Sequence, residues 1–475
     1  MDRLYTGALS DENIRAVFDG AGDFCIRELH VADTVLYAYF IDGLTSGGDI
    51  SDFVLRPLAE KLRPGTPAEL YEQAKHGVVW NSVADPCPDL DTAARKLVNG
   101  FCVVLIPGAG AVAYEDKTPE KRSPSEPEVE NTSKGPKDAF TETVRTNTSL
   151  LRRHLRTPRL RLFETVVGRQ TLTNVTVVSI DGLTDPSLVE RMKRRLQELD
   201  VEGLLSPAAV EEYVTGSRKT AFPMLQYTER TDKFAAGLLS GRVGLLVDGL
   251  PLGYLAPVNL GWLMQSPEDR GTDYLSASAI RLVRYLALLV TLLLPALYVA
   301  MAAFHQQMIP TKLLLAIIES KQNVPFPTVL EVLGLLLSFE VLQEAGMSLP
   351  KSISQSVSII GGLVVGSAAV EAKIISPGAL IVVAVAGICG FAVPGKELSD
   401  ALRLWRFALT VAAALAGMYG LTVGCIVLLL RLSSLESFGR PWLAPFSGVR
   451  TGGAVLRRRL VVEKSHKREG SSHSI

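Results

Sequence analysis

Three long apolar segments, set close together in the C-terminal half, constrain this chain more than any other feature. They cover residues 328–345, 353–372 and 374–393, between Pro325 and Pro394. Each is close in length to the roughly 20 apolar residues that a helix needs to cross a bilayer. The block therefore predicts an integral membrane protein.

The first of these segments carries three glutamates, Glu331, Glu340 and Glu344. Glu340 and Glu344 are four residues apart, so they share one face of a helix. Ionisable side chains inside a membrane span are rare, and each is a candidate for function. Two interpretations stay open. These carboxylates either line a water-filled path and attract cations, or lie among the lipid headgroups as charges at a helix end.

The second segment is rich in serine and glycine. Gly362 and Gly366 are four residues apart, a spacing that lets two helices approach closely in lipid. One side of the predicted helix, called the candidate stripe below, consists of Ser352, Gln355, Ser358, Ile359, Gly362 and Gly366. This stripe faces either a pore or a neighbouring helix, and the sequence leaves both possibilities open.

Two more spans are predicted, at residues 282–304 and 407–430, and Pro295 is placed to kink the first of them. Residues 309–320 are too short to cross a bilayer, and their amphipathic pattern suits the membrane interface. The chain is basic both before the first span and after the last. The positive-inside rule then favours an even number of crossings. We therefore expect four full spans, with residues 328–345 as a re-entrant or tilted helix.

The N-terminal half is polar and contains an internal repeat. Residues 35–41 form a β-branched and aromatic run typical of a buried strand, and the sequence Ile-Asp-Gly-Leu-Thr follows it. The same sequence returns 139 residues later, where Asp181 takes the place of Asp42. A second matched pair, Gly100 and Gly241, precedes two further apolar strands and is 141 residues apart. Equal order and near-equal spacing predict two similar α/β subdomains in tandem.

The fold class that follows is an α/β soluble N-terminal half made of two similar subdomains, followed by an all-α polytopic membrane domain. We expect the boundaries listed here: 1–114, first subdomain; 115–138, charged proline-rich linker; 139–265, second subdomain; 266–281, elbow; 282–431, transmembrane domain; 432–475, basic tail. The N-terminus lacks an apolar region, so we expect no cleavable signal peptide and a cytoplasmic N-terminal half.

Nucleotide-binding and hydrolase motifs are absent from the sequence. The five cysteines are widely spaced, which favours structural thiols over a zinc site or a disulfide framework. Because 49 basic residues balance 49 acidic ones, net charge gives no argument for nucleic acid binding. We expect no enzyme activity, cofactor or metal.

A cluster of arginines follows the acidic linker, and Arg145, Arg152 and Arg153 are its candidate contact residues. Three interpretations stay open for this cluster. It forms a solvated helix face with local salt bridges to residues such as those of the linker, contacts another subunit, or contacts anionic lipid headgroups.

Several stretches resemble one known family. EVLQEAGMSLP, GGLVVGSAAVEAKIISP and FAVP in the apolar block are similar to the membrane domain of the GerA-type spore germination proteins. The resemblance extends over roughly residues 23–449 and includes EPEVE, KGPKDAF and SFGRPWLAP, although Trp442 stands where the family more often has tyrosine. This family comprises the A subunits of nutrient germinant receptors and their relative SpoVAF.

The resemblance implies an A subunit in the inner membrane of a bacterial spore, with its N-terminal half on the core side. Such a subunit is expected to form a homo-oligomeric cation channel and to work with a transporter-like B subunit and a C-type lipoprotein. Two alternatives stay open. The protein is a SpoVAF-like auxiliary channel component that amplifies ion release, or a non-conducting scaffold that clusters receptors.

Overall fold

The computed structural model describes residues 5–31, 34–79, 83–116, 127, 130, 132, 134–216, 220–348, 366–447 and 455–456. The chain divides into two units. The N-terminal unit comprises Met1–Ser217 and Leu225–Pro257, and the helical unit comprises Arg218–Met224 and Val258–Ile475.

The first half of the N-terminal unit is an antiparallel sheet with helices on both faces. Its strand order is β1-β2-β4-β5-β3. Helices α1 and α5 pack on one face of the sheet and helices α3 and α4 on the other. The elements are α1 (Asp11–Val17), β1 (Phe24–Val31), β2 (Thr34–Ile41), α2 (Gly47–Asp49), a π-helical turn (Ile50–Leu55), α3 (Arg56–Lys61), α4 (Pro67–Lys75), β3 (Ala84–Cys87), α5 (Leu90–Leu97), β4 (Phe101–Ile106) and β5 (Gly110–Glu115).

The second half repeats this topology. Its strand order, β6-β7-β9-β10-β8, is the same arrangement five strands later. Helices α6 and α9 pack on one face, and α7 also packs on this sheet. The elements are α6 (Val144–His154), β6 (Leu160–Val167), β7 (Thr173–Ile180), α7 (Pro186–Gln197), α8 (Pro207–Thr215), β8 (Gln226–Thr228), α9 (Thr231–Leu239), β9 (Val243–Val247) and β10 (Gly253–Ala256). The predicted duplication is confirmed.

The repeated Ile-Asp-Gly-Leu-Thr sequence forms the same turn in both subdomains. It begins at the last residue of β2 and of β7, and its glycines, Gly43 and Gly182, have positive φ angles of 87° and 76°. In each copy the threonine N–H donates to the isoleucine carbonyl, from Thr45 to Ile41 and from Thr184 to Ile180. Glycine adopts this backbone without steric cost. Both copies of the turn therefore have glycine at this position, and this shared glycine makes the repeat visible in the sequence.

The helical unit packs its helices around one continuous apolar core. Its elements are α10 (Leu260–Leu263), α11 (Glu268–Gly271), α12 (Tyr274–Ala303), a 3₁₀ turn (Gln306–Met308), α13 (Thr311–Lys321), α14 (Thr328–Ser348), α15 (Gly366–Glu371), α16 (Pro377–Phe391), α17 (Lys396–Ser433) and a two-stranded ribbon of β11 (Glu436–Ser437) and β12 (Arg440–Pro441). Among the described residues, α12 and α17 are long and apolar enough to cross a membrane.

Helix α17 reverses direction inside its apolar run. Ala416 and Gly417 have non-helical backbone angles, and Gly417 has φ +59°. In a straight helix, Ala412 and Gly420 would lie about 12 Å apart along the axis. Instead, a Cβ placed on Gly420 would lie 2.0 Å from the Ala412 carbonyl oxygen, and one on Gly424 would lie 2.6 Å from the side chain of Leu409. The two halves therefore pack against each other as a hairpin.

The prediction of one continuous span at residues 407–430 is wrong for this reason. Hydropathy remains high through the reversal, because alanine and glycine form the turn without a polar residue. The glycines Gly417, Gly420 and Gly424 are the sequence signal that was available. The turn contacts Phe304 and His305 at the end of α12, so the second half of α17 returns along the bundle.

The tail after α17 folds back onto the helical unit. The Trp442 indole N–H donates to the Pro223 carbonyl oxygen at 2.8 Å, and its ring packs on Phe222. The Leu260 N–H donates to the Trp442 carbonyl, while Ser437 Oγ donates to Met224 and accepts from Val258. Trp442 is 1% exposed. The tail motif thus joins the C-terminal end of the helical unit to the segment that precedes α12.

Gly420→Ala should destabilise the hairpin, because its new methyl group would overlap the Ala412 carbonyl. Overpacking of this kind costs about 1–3 kcal/mol. The matched control is Gly334→Ala on α14, where a Cβ meets nothing within 4 Å and alanine favours the helix. Thermal unfolding in detergent should show a lower midpoint for Gly420→Ala alone. Equal midpoints for the two variants would contradict the hairpin.

Candidate functional site

The helical unit contains an ionic cluster that joins α14 to the first half of α17. Arg406 NH2 donates to Glu340 Oε1 at 2.7 Å, and Arg403 NH1 donates to Glu340 Oε2 at 2.9 Å. Arg403 also donates to Gln343 at 2.6 Å and contacts Asp400. One carboxylate therefore bridges two guanidinium groups.

The cluster extends from the buried guanidinium of Arg406 to the side chains of Arg403 and Glu340, which are 20% and 32% exposed. Arg406 is 2% exposed. It precedes the reversal at Ala416 by ten residues, about 15 Å of helix. Moving an ion out of water costs several kcal/mol, which only close pairing offsets. A carboxylate with two cationic partners presents little free negative charge, so Glu340 fixes two helices together rather than acting as an isolated acid.

A second buried carboxylate holds the start of α16. Glu331 Oε2 accepts from the Ser376 N–H at 2.9 Å and from Ser376 Oγ at 2.6 Å. Ser376 is the N-cap of α16, where a negative charge interacts favourably with the helix dipole. Lys321, the last residue of α13, lies 3.0 Å from Glu331 Oε1 and also contacts Thr328. Three helices meet at this carboxylate, which we call the Glu331 latch.

The other predicted residues of the apolar block are placed as follows. Glu344 is exposed on α14. Gly366 is buried at the start of α15, and a Cβ there would meet the Leu380 side chain at an ordinary distance of 3.6 Å. The rest of the candidate stripe (Ser352, Gln355, Ser358, Ile359 and Gly362) lies outside the described residues. The stripe's role stays a prediction.

The entry to α12 is held by one buried aspartate. Asp269, 2% exposed, accepts from Arg281 Nε at 2.8 Å and pairs with Arg284 NH1 at 2.8 Å. Arg284 also donates to the Met264 carbonyl. Arg281 and Arg284, on the first turns of α12, are therefore anchored inside the helical unit.

The arginine cluster of the N-terminal unit includes a buried clamp between the two subdomains. Arg152 on α6 donates to Asp23 Oδ1 at 2.6 Å and to Oδ2 at 2.7 Å, and both side chains are 1% exposed. Its NH1 also donates to the Thr157 carbonyl. Contact with another subunit or lipid does not agree with this placement, because the guanidinium is enclosed by its own chain.

Arg145 and Arg153 occupy more open positions. Arg145 bridges the subdomains as well, since it lies 3.2 Å from Asp42 and 3.0 Å from Glu164. Arg153 is exposed, and partial burial together with the neighbouring Arg156 lowers the pKa of its guanidinium. A contact of these two residues with another subunit or with lipid stays a prediction.

The acidic linker contacts the second subdomain through residues outside the arginine cluster. Glu130 pairs with Lys233 and accepts from Thr228. Arg230, 1% exposed, donates to the carbonyls of Glu130 and Pro136. In the described part of the linker, the Glu130 carboxylate therefore pairs with Lys233 on α9, whereas Arg230 binds backbone carbonyls.

A titratable triangle closes the linker against α6 and α9. His154 Nε2 lies 2.7 Å from Asp138 Oδ2, and Thr231 Oγ donates to the same oxygen at 2.6 Å. The hydrogen bond to Asp138 raises the pKa of His154 despite partial burial, with Asp232 adding to it. Burial opposes ionisation of Asp138, but hydrogen bonds from His154 and Thr231 outweigh it and lower its pKa to about 2.

Comparison with known proteins identifies the class. The family model described as Bacillus/Clostridium GerA spore germination protein matches residues 12–469, so the chain belongs to the GerA family of spore germination proteins.

Among its relatives in Bacillus subtilis (strain 168), the uncharacterized membrane protein YfkQ is 35% identical, over 92% of this chain and 85% of the relative. Spore germination protein KA is 34% identical, over 92% and 81%. A solved structure, the N-terminal domain of the A subunit of the Bacillus megaterium spore germinant receptor GerK3, is 26% identical with a TM-score of 0.41. That match covers 53% of this chain and 94% of the solved one. The expected family is confirmed.

Arg152→Met should destabilise the N-terminal unit, because it leaves the Asp23 carboxylate buried without its cation. Breaking a buried pair in this way costs about 3–5 kcal/mol. The control is Arg169→Gln, whose pair with Asp200 is more than half exposed and contributes little. Pulse proteolysis of the full chain in urea measures the difference. A loss for Arg152→Met no larger than the control's would show that the clamp is not needed.

The triangle predicts a pH dependence of stability. The raised pKa of His154 means that its pairing stabilises the fold below the ordinary histidine value of about 6.5, and that this contribution is lost as pH rises through the folded pKa. The lowered pKa of Asp138 gives a contribution present above about 3.8 and lost as pH falls toward 2.

The free energy of unfolding of the wild type should therefore fall more between pH 6 and pH 8 than that of His154→Gln. Urea denaturation of each protein at pH 6 and at pH 8, with the unfolded fraction detected by proteolysis, measures the two free energies of unfolding. Parallel pH profiles for the two proteins would refute the role of His154.

Proposed function

We propose that this protein is the A subunit of a nutrient germinant receptor, and that several copies form a cation-conducting channel in the spore inner membrane. Membership of the GerA family supports the receptor role. The observation that carries the channel proposal is the Glu340 cluster, because ion pairs between helices of membrane-spanning length mark functional paths.

A membrane location agrees with the surface of the helical unit. Large apolar side chains on four of its helices are half exposed or more, and lipid would cover them in a bilayer. They include Leu289 on α12, Leu337 on α14, Ile388 on α16 and Leu404 on α17. The same helices bury their opposite faces in one apolar core.

The hairpin of α17 supports an orientation with the N-terminal unit on the core side. Near the start of α17, Ser399 donates to the Gly390 carbonyl, and Gly390 lies beside Thr291, just past the midpoint of α12. The reversal at Gly417 contacts Phe304 at the C-terminal end of α12. Both ends of α17 therefore lie toward the end of the bundle where α12 begins. Arg284, Arg403 and Arg431 lie toward this end, which the positive-inside rule assigns to the cytoplasmic face.

The proposed conduction path runs between copies of the chain. Helices α12, α14, α16 and α17 share a single apolar core, so a water-filled path fits outside that core, where copies meet. The candidate stripe then lines the pore, apart from Gly366, which lies at the start of α15 and is buried beside Leu380. The Glu340 cluster holds α14 and α17 beside the stripe. A transporter-like B subunit and a C-type lipoprotein complete the proposed receptor.

Ile359→Ala and Glu340→Gln should each change potassium release from dormant spores at normal protein abundance. The first removes bulk from the candidate stripe, and the second removes the two salt bridges that Glu340 makes, with Arg403 and Arg406. Leu337→Ala, on the exposed face of α14, is the matched control and should release ions as the wild type does. Flame photometry of the spore supernatant with an immunoblot gives both quantities.

Unchanged release at normal abundance for both variants would reject the channel and leave a scaffold that clusters receptors. Altered release that persists when the candidate B-type partner is deleted would instead favour a SpoVAF-like auxiliary channel.

A further inference from the structure

Helix α13 is rich in large apolar residues but buries none of them. It contains Leu313, Leu314, Leu315, Ile317 and Ile318 among its eleven residues. All eleven are described, and none of them is buried. Burial of such side chains is a main source of stability for a helix in water. A helix so apolar, with its side chains left open, fits an environment other than water.

The arrangement of residues around α13 separates three faces. At 100° per residue, Lys312 and Glu319 fall together on one side. Lys321 falls on the opposite side, where it reaches the buried carboxylate of Glu331 at 3.0 Å. Leu313 and Leu315 lie between these two sides, one on each flank, and are 54% and 61% exposed.

This pattern is that of a helix lying in the plane of a membrane interface, with a polar stripe in water and apolar flanks at the acyl boundary. The neighbouring surface continues it, since Phe304 and Met308, between α12 and α13, are 46% and 54% exposed. The occupant that fits this surface is therefore the lipid bilayer, continuous with the lipid around α12.

Among the residues that the structure describes, the strong polar contact of α13 is made by its last residue, Lys321, and is directed into the helical unit. Lys321 binds Glu331, and Glu331 accepts two hydrogen bonds from Ser376, the N-cap of α16. A short corner before Ser376 connects α15 to α16. This corner includes Lys373, whose φ is +57°. The position of α13 is thus coupled to the corner that follows the candidate stripe.

We propose that α13 is a membrane-interface helix, and that the Glu331 latch transmits its position at the lipid surface to the corner between α15 and α16. Lys312 and Glu319 lie in water, Leu313 and Leu315 lie among the lipid chains, and Lys321 ties the helix to Glu331. The lipid contact is independent of the proposed channel, whereas its effect on ion release rests on that proposed function.

Nitroxide labels at Lys312→Cys and at Leu315→Cys test the lipid contact in proteoliposomes of the full chain. The half-buried native cysteines Cys25, Cys389 and Cys425 are replaced by alanine in both. Oxygen, which concentrates in lipid, should relax the label at position 315 more strongly than a water-soluble nickel chelate does. The order should reverse at position 312.

Two results overturn the lipid contact. Equal access of the nickel chelate to both labels would place α13 in water. Protection of both labels from both reagents would mean that a second copy or another protein covers the helix. Neither readout depends on conduction, so a failure here is distinguishable from a failure of the channel proposal.

The latch is tested on the same label at position 315. Lys321→Met and Glu331→Gln should each increase the label's mobility, and the double variant should show no further increase, since both changes remove one interaction. Glu319→Gln, on the water-facing side of α13, is the matched control and should leave mobility unchanged. Additive effects, or an unchanged spectrum for both single variants, would overturn the latch.

In spores, the same two latch variants should alter potassium release in the same direction and by similar factors. Opposite directions would reject a shared latch. Wild-type release in both, together with altered mobility of the label, would show that the latch exists but does not act on the channel.

Discussion

An ion that leaves water must be paired, and this requirement organises the helical unit. Three carboxylates described there bind groups on other helices: Asp269 binds the start of α12, Glu331 joins α13 to α16, and Glu340 joins α14 to α17. Apolar packing in such a unit is non-directional, so it permits many ways of sliding one helix past another. A charge pair separated by more than a few ångströms in an apolar environment loses most of its stabilisation. The pairs therefore select one arrangement among many that bury similar area.

The N-terminal unit uses the same principle at its central joint. Two copies of one topology are joined in tandem, and their contact is fixed by Arg152 bound to Asp23 at both carboxylate oxygens. The duplicated turns after β2 and β7 contribute differently to that joint. Gly43 of the first copy accepts from Ser149 on α6, whereas Asp181 of the second copy binds Arg161 on β6. The two subdomains therefore share one topology but contribute different groups to the joint between them.

The features that could be predicted from the sequence are those with a local cause. Buried strands such as β2 and β7 are short apolar runs, and the glycines after them require positive φ, so the repeat was visible. Strands β1 and β6 have no such signature. Both lie at sheet edges, and their apolar residues are interspersed with charged ones such as Arg27 and Glu164. The glutamates at 331 and 340 stood out as charges in apolar runs. Their partners, Lys321, Arg403 and Arg406, did not, since pairing between distant helices leaves no local pattern.

The buried tail has a consequence for the order in which this protein is completed. Trp442 donates to the Pro223 carbonyl and accepts from the Leu260 N–H. Pro223 and Leu260 flank the segment from β8 to β10, and neither can make its final contact before Trp442 has been synthesised. The N-terminal unit is synthesised by residue 257 and needs none of that segment for its own sheets. The helical unit, by contrast, cannot close until Trp442 and the residues around it have been synthesised.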